Sequence, residues 1–134
     1  METNDYIQIA GSLYRIINMD GTVREISTGI EFKDNLTSCH IPITREVLIA
    51  CGFQKGENGQ YYTDLQEGDT ICGITCTFIP LDEKYSMILT DKKGVTPFDE
   101  EIGVLSELQD WVREKSGLEL NVDESKLAKA LSLI

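Results

Sequence analysis

Four cysteines, one histidine and 23 carboxylates are the side chains of this 134-residue chain that could do chemistry, and their spacing decides which chemistry is open to them. Cys39 stands beside His40, and Cys72 and Cys76 form a C-x3-C pair, a set that invites a zinc site. On a strand, residues 72 and 76 share a face but stand about 13 Å apart at about 3.3 Å per residue. That is too far for one ion with sulfur bonds of about 2.3 Å. Cys39 and His40 in an extended segment point to opposite faces, which parts a thiol from the base that would activate it. Asp64, Glu67 and Asp69 surround a turn, but the spacing of an EF-hand and its twelfth-position Glu are missing, so a solvated acidic turn is expected. The chain has no Gly-rich phosphate loop, dinucleotide fingerprint or G-x-S-x-G elbow. The remaining carboxylates are too many for a general acid–base pair to be chosen among them. The reading therefore assigns no catalytic residue, no metal and no cofactor, and the cysteines are expected as ordinary buried thiols.

The net charge of −11 is uneven. Residues 1–56 hold 7 acidic and 5 basic side chains, residues 57–134 hold 16 and 7. A phosphate backbone is repelled by such a surface, so direct nucleic-acid binding is not expected. There is no basic-then-apolar leader and no apolar run near the roughly 20 residues that span a bilayer, so a cytoplasmic protein without a membrane partner is expected. Reduced thiols follow from that compartment. The length fits one domain over 1–134 with a single core.

The elements that would position any site are read from pattern. β-Branched and aromatic runs at 6–10 and 13–17, an Asp20-Gly21 turn, a run at 22–26 and short strands at 30–32 and 36–41 predict a small N-terminal β unit over 6–41, a curled hairpin sheet or SH3-like barrel. The α+β part is expected over 43–134. Pro42 breaks the unit, Thr44 caps a short helix and Gly52 stops it. Strands at 53–55, 60–63, 70–79 and 85–90 predict an antiparallel sheet of about four. One long amphipathic helix is expected over 96–117, with Thr96 as cap, Pro97 at the first position, Asp99 completing a capping box and Gly117 closing it. An edge strand at 118–122 and a short helix capped by Asp123, with Leu127, Ala130, Leu131 and Ile134 on one face, complete an α+β fold.

Pro42, Thr44, Glu46, Leu48 and Cys51-Gly52-Phe53, followed by a Gly/Asn loop and Tyr61-Tyr62, resemble the P-x-T-x-E-x-L-x-x-C-G-F … G-x-Y-Y stretch of small proteins from Bacteroides-type gut bacteria and their phages and mobile elements. Leu108-Gln109 and Gly117-Leu118-Glu119-Leu120 resemble the L-Q … G-x-E-L end of the same proteins. The chain departs from the family at Leu105-Ser106, where the family has Val-His, and at Asp110, where it has Asn. The resemblance covers about a quarter of the chain and implies a shared fold, but points to no particular activity. Its signature residues are caps, turns and core positions.

These readings lead to a protein of phage or mobile-element origin that acts through contacts with a protein partner. Candidate contact residues are Tyr61 and Tyr62, one facing the core and one water, and Glu107, Asp110 and Glu114 along the exposed side of the main helix. Together with Glu100, those acids could imitate nucleic acid and block a protein that binds it. The stripe Leu127, Leu131 and Ile134 docks on its own domain or, in the alternative, on a second copy. A small enzyme or ligand binder with a pocket between the N-terminal unit and the α+β part is the competing class. Elemental analysis of the purified protein is expected to find no stoichiometric zinc; a zinc signal lost on Cys72→Ser would overturn the thiol assignment.

Overall fold

The computed structural model describes residues 4–9, 11–33 and 40–132. The chain is an α+β protein of two antiparallel sheets and three helices. β1 (Tyr6–Ile9), β2 (Ser12–Ile16), β3 (Thr22–Glu25) and β4 (Glu31–Lys33) form a four-stranded meander in sequence order. Asp20 sets one of its turns, accepting from Thr22 through both the backbone N–H (3.0 Å) and the hydroxyl (2.7 Å). Ile7, Tyr14, Ile16 and Val23 make a small core on one face, while Tyr6 and Leu13 face the main core. β1 and β4 remain separate edges, so among the described residues this sheet is open and does not close into a barrel. The strand expected at 36–41 falls mostly outside the described residues; Ile41 is fully buried and Pro42 forms an isolated bridge with Val104.

α1 (Arg45–Ala50) begins as its sequence demands, with Thr44 Oγ1 accepting from the Val47 N–H at 3.2 Å. β5 (Gln54–Lys55), β6 (Gln60–Glu67), β7 (Thr70–Ile79), β8 (Lys84–Asp91) and β9 (Gly94–Ile102) follow as a five-stranded meander. Period-2 alternation puts Tyr61, Leu65, Cys72, Ile74, Cys76, Tyr85, Met87 and Leu89 on its inner face, under the buried side chains of α1 and of α2 (Leu105–Ser116).

The long helix expected over 96–117 is not formed. Residues 94–102 pair with β8 instead, adding a fifth strand, and the helix starts at Leu105. Thr96, Pro97 and Asp99 fit a helix start because Pro lacks an N–H to lose. The same lack is tolerated on an edge strand, and β9 is one. What decides between the two is β8, whose alternating apolar residues need a neighbour on their open side. A bulge opposite Ser86 and Met87 lets Phe98 pair with Met87 and Ile102 with Tyr85, so both reach the inner face. Phe98 lies edge-on against Trp111 with centroids 5.2 Å apart, and Lys115 Nζ sits 5.1 Å from its centroid. In one continuous helix, residues 98 and 115 would be about 25 Å apart at 1.5 Å per residue.

α2 has no side-chain cap; the Leu105 N–H is taken by the Ile41 carbonyl at 2.8 Å. Its end agrees with the sequence, Gly117 closing it at φ +74° with its N–H on the Arg113 carbonyl. Residues 118–122 form no strand. Their alternation still buries Leu118 and Leu120, and the segment hands over to α3 (Glu124–Ser132) through the Asp123 N–H on the Ala50 carbonyl at 2.7 Å. Asp123 Oδ1 accepts from the Lys126 N–H at 3.1 Å, and Leu127, Ala130 and Leu131 are buried against the chain's own core, where α3 packs on α1. Leu127→Ala should therefore lower the unfolding free energy by about 2–5 kcal/mol, read from urea denaturation, with the mass in light scattering unchanged.

Candidate functional site

The thiols are placed where nucleophilic or metal chemistry is disfavoured. Cys72 and Cys76 lie on the same inner face of β7, and Cys76 Sγ packs 3.7 Å from Met87 Sδ. Burial pushes the Cys51 thiol up to about 12 and raises those of Cys72 and Cys76. A thiolate is the reactive and metal-binding form, so these are inert side chains. No group of three or more metal-ligating residues forms among the described residues. Cys39 lies outside them. His40 meets a partner that its sequence neighbours do not suggest: its Nδ1 is 3.2 Å from Ser106 Oγ, in the first turn of α2. Ser106 is only 2% exposed, so its hydroxyl is a buried contact and no substrate reaches it.

The acidic candidates are dispersed. Glu107 is exposed, with Oε1 3.4 Å from the Gly103 N–H, Glu114 is exposed and paired to Lys115, and Asp110 is drawn inward to Arg113 at 3.0 Å. Glu100 is on β9, not on the helix, and pairs with Lys115 at 3.3 Å. Leu127 and Leu131 belong to the core, and Ile134 lies outside the described residues. The tyrosine pair is split as the strand period requires: Tyr61 is buried edge-on against Tyr85, while Tyr62 is 43% exposed and donates its hydroxyl to Gln54 Oε1 at 3.1 Å.

Tyr62 belongs to the face of the five-stranded sheet that α1 and α2 leave uncovered. Register sets out that face in rows. Gln54, Tyr62, Thr75, Ile88 and Pro97 cross all five strands, and Asp64, Gly73, Thr90 and Val95 run beside them. Ile71 pairs with Gln66 in the row beyond. Ile71 is 50% and Val95 67% exposed, a large apolar area for strands that also carry Thr at two of these positions. Between Tyr62, Asp64, Ile71, Thr75 and Thr90 the surface sinks into an open depression of about 520 Å³. Gly73 is its floor. A Cβ there would sit 3.1 Å from Asp64 Oδ1 and 3.6 Å from Thr90 Cβ, so a side chain would both crowd its neighbours and fill the hollow. Ile71, Gly73 and Val95 were not singled out from the sequence. The available signal was Ile71-Cys72-Gly73-Ile74, where an apolar residue interrupts the alternation on the side facing water.

A second cluster joins the two sheets. Asn4 and Asp5, just before β1, are tied to the rest of the fold. Asp5 is fully buried, and the Gln109 side chain bridges the Tyr6 N–H (2.9 Å) and the Asn4 carbonyl (3.1 Å) from α2. Arg113 bonds Asp5, Asp110 and Glu119, and the Tyr6 hydroxyl donates to Glu124 Oε2 at 2.9 Å. Such groups hold strand to helix. Two hollows flank them. One of about 410 Å³ lies between Leu13, Ile26, Ala128 and Leu131; another of about 290 Å³ lies between Arg15, Gln109 and residues 119–122. Arg113→Met removes the cation from a buried carboxylate and should cost about 3–5 kcal/mol in unfolding free energy, measured by urea denaturation at pH 7.

Comparison of the chain with protein-family models, with curated proteins and with solved structures finds no match in any of the three.

Proposed function

We propose that the chain is a non-catalytic protein-interaction module, and that its partner docks on the uncovered face of the five-stranded sheet around Tyr62, Ile71, Gly73 and Val95. The observation that carries this reading is the exposure of Ile71, Val95 and Tyr62 around the hollow floored by Gly73. Apolar and aromatic groups grouped on a surface, with polar residues at the rim, are what protein interfaces bury. Thr75, Thr90 and Asp64 supply polar atoms at the margin, and a Tyr fixed by its own hydroxyl bond presents its ring at low entropic cost.

The free edge of β9 is a poorer docking place. Pro97, the bulge at residues 99–100 and the charges of Asp99, Glu100 and Glu101 blunt it against strand addition. The net charge of −11 favours a basic partner, which it would steer and bind more weakly as salt rises. The resemblance to proteins of Bacteroides-type bacteria and their mobile elements supports a cytoplasmic role in such a setting. No helix among the described residues is long and apolar enough to cross a membrane. Nucleic-acid mimicry by the main helix draws less support, because Glu100 sits on β9 and Asp110 is turned inward to Arg113.

A ligand-binding role is the second reading, favoured by the hollows of about 410 and 290 Å³ at the junction of the N-terminal sheet with α2 and α3. The immobilised protein should retain a protein from host lysate at moderate salt that Ile71→Asp and Tyr62→Ser both fail to retain. Both substitutions lie on the surface and should leave the unfolding free energy from urea denaturation within about 0.5 kcal/mol of wild type. Retention unchanged by either substitution would overturn the sheet face as the docking site. A rise in Tm of several degrees with a nucleotide or sugar at submillimolar concentration would favour the ligand reading instead.

A further inference from the structure

The hollow over Gly73 has walls of different chemistry. β6 sends Tyr62 and Asp64 to the same face, two residues apart, and register sets Asp64 beside Gly73 on β7 and Gly73 beside Thr90 on β8. Because Gly73 has no side chain, the gap between the Asp64 carboxylate and Thr90 stays open. Ile71, two residues before Gly73, bounds one end of that gap, and the row of Tyr62 bounds the other. The Tyr62 hydroxyl is bonded to Gln54 Oε1 at 3.1 Å and its ring lies close to Gly56, so the ring stands beside the hollow and does not fill it.

Three charged residues line the hollow. Asp64 is exposed and its carboxylate has no hydrogen bond or ion pair among the described residues. Asp91 gives one oxygen to the Lys93 N–H of its own turn at 2.8 Å. Lys92 forms no ion pair with either carboxylate among the described residues. Two negative charges thus face one positive, on a chain of net charge −11. A group complementary to such a place has a cationic head for Asp64 and an apolar stem for the floor and for Ile71.

We propose that the hollow receives an arginine side chain of the docking partner, its guanidinium donating to Asp64 and lying against the Tyr62 ring, its methylenes over Gly73 and against Ile71. This rests on the outer sheet face being where the partner docks, and it names the group at the centre of that contact. A planar guanidinium stacks on an aromatic ring while its fork of N–H donors reaches a carboxylate; the lysine ammonium offers a point charge alone. A long side chain with a charged tip also lays its methylenes on apolar surface. Asp64, with no other bond to give up, and a ring already fixed in place lower the cost of forming the contact.

The test is an NMR titration of the full chain with N-acetyl-arginine N-methylamide and, as its uncharged analogue of the same shape, N-acetyl-citrulline N-methylamide. The Gly73 and Thr90 amides and the Tyr62 ring should shift with the arginine probe, saturating in the millimolar range, and should stay in place with citrulline. Asp64→Asn should weaken the arginine response about tenfold, the loss of one charge-assisted hydrogen bond. Equal shifts with both probes, an undiminished response in Asp64→Asn, or shifts scattered over the acidic surface with none at Gly73 would each overturn the assignment. So would a response of these residues to glucose and not to arginine, or one to protein concentration without a probe, which would give the hollow to a sugar or to a second copy. The citrulline comparison needs no variant. Should Ile71→Asp lose the protein retained from lysate while Asp64→Asn keeps it, the sheet face stands as the docking site and the arginine falls; should both variants keep it, both fall.

Discussion

The constraint on which the other features depend is the covering of one side of the five-stranded sheet, where Ile74, Cys76 and Met87 are shut away from water in one core with the buried side chains of α1 and α2. A meander of four short connections keeps all five strands in sequence order and gives a sheet with two broad faces. Three short helices cannot cover both. α1 is 6 residues long and α3 packs on α1, while α2 meets the sheet at β9, where Trp111 lies against Phe98. The outer face is left to water by the shortage of cover, and the residues it carries follow from that. Thr, Asp and Gln suit solvent, whereas Tyr62, Ile71 and Val95 do not need to be there for the sheet to form.

The N-terminal sheet is attached in a different way. It shares Tyr6 and Leu13 with the main core but keeps a small core of its own. The seam is completed by polar groups: Gln109 reads the backbone of residues 4 and 6, and Arg113 gathers three carboxylates. Apolar contact fixes that the sheet docks, and directional bonds fix where.

Much of the architecture was legible from local pattern. Asp20-Gly21, Thr44 with Gly52, Gly117 and Asp123 each mark a boundary that the structure keeps, since a cap or a turn is satisfied by atoms a few residues away. The alternation of Tyr61 and Tyr62 and the stripe of Leu127, Ala130 and Leu131 were readable for the same reason: a strand or helix period assigns sides without knowing the partner. The candidate site was less legible. Of its residues only Tyr62 stood out, because an exposed Ile or Val within a strand has the same letter as a buried one. The misreading of residues 96–102 is instructive about the limit. Thr96-Pro97-Phe98-Asp99 satisfies the start of a helix and the run of an edge strand equally well, and local rules contain nothing to separate them.

The start and stop of α1, the stop of α2, the cap of α3, the acidic balance and the split of Tyr61 from Tyr62 were thus determined by the sequence alone, because they depend on neighbours within one turn or one pleat. The tertiary structure decided that residues 94–102 complete a sheet, that Asp5 is buried among Asp110, Arg113 and Glu119, and that His40 meets Ser106. These pairings join residues up to 108 positions apart. Their energies arise only once a distant element presents an open strand edge or a charge, and so no local period or spacing encodes them.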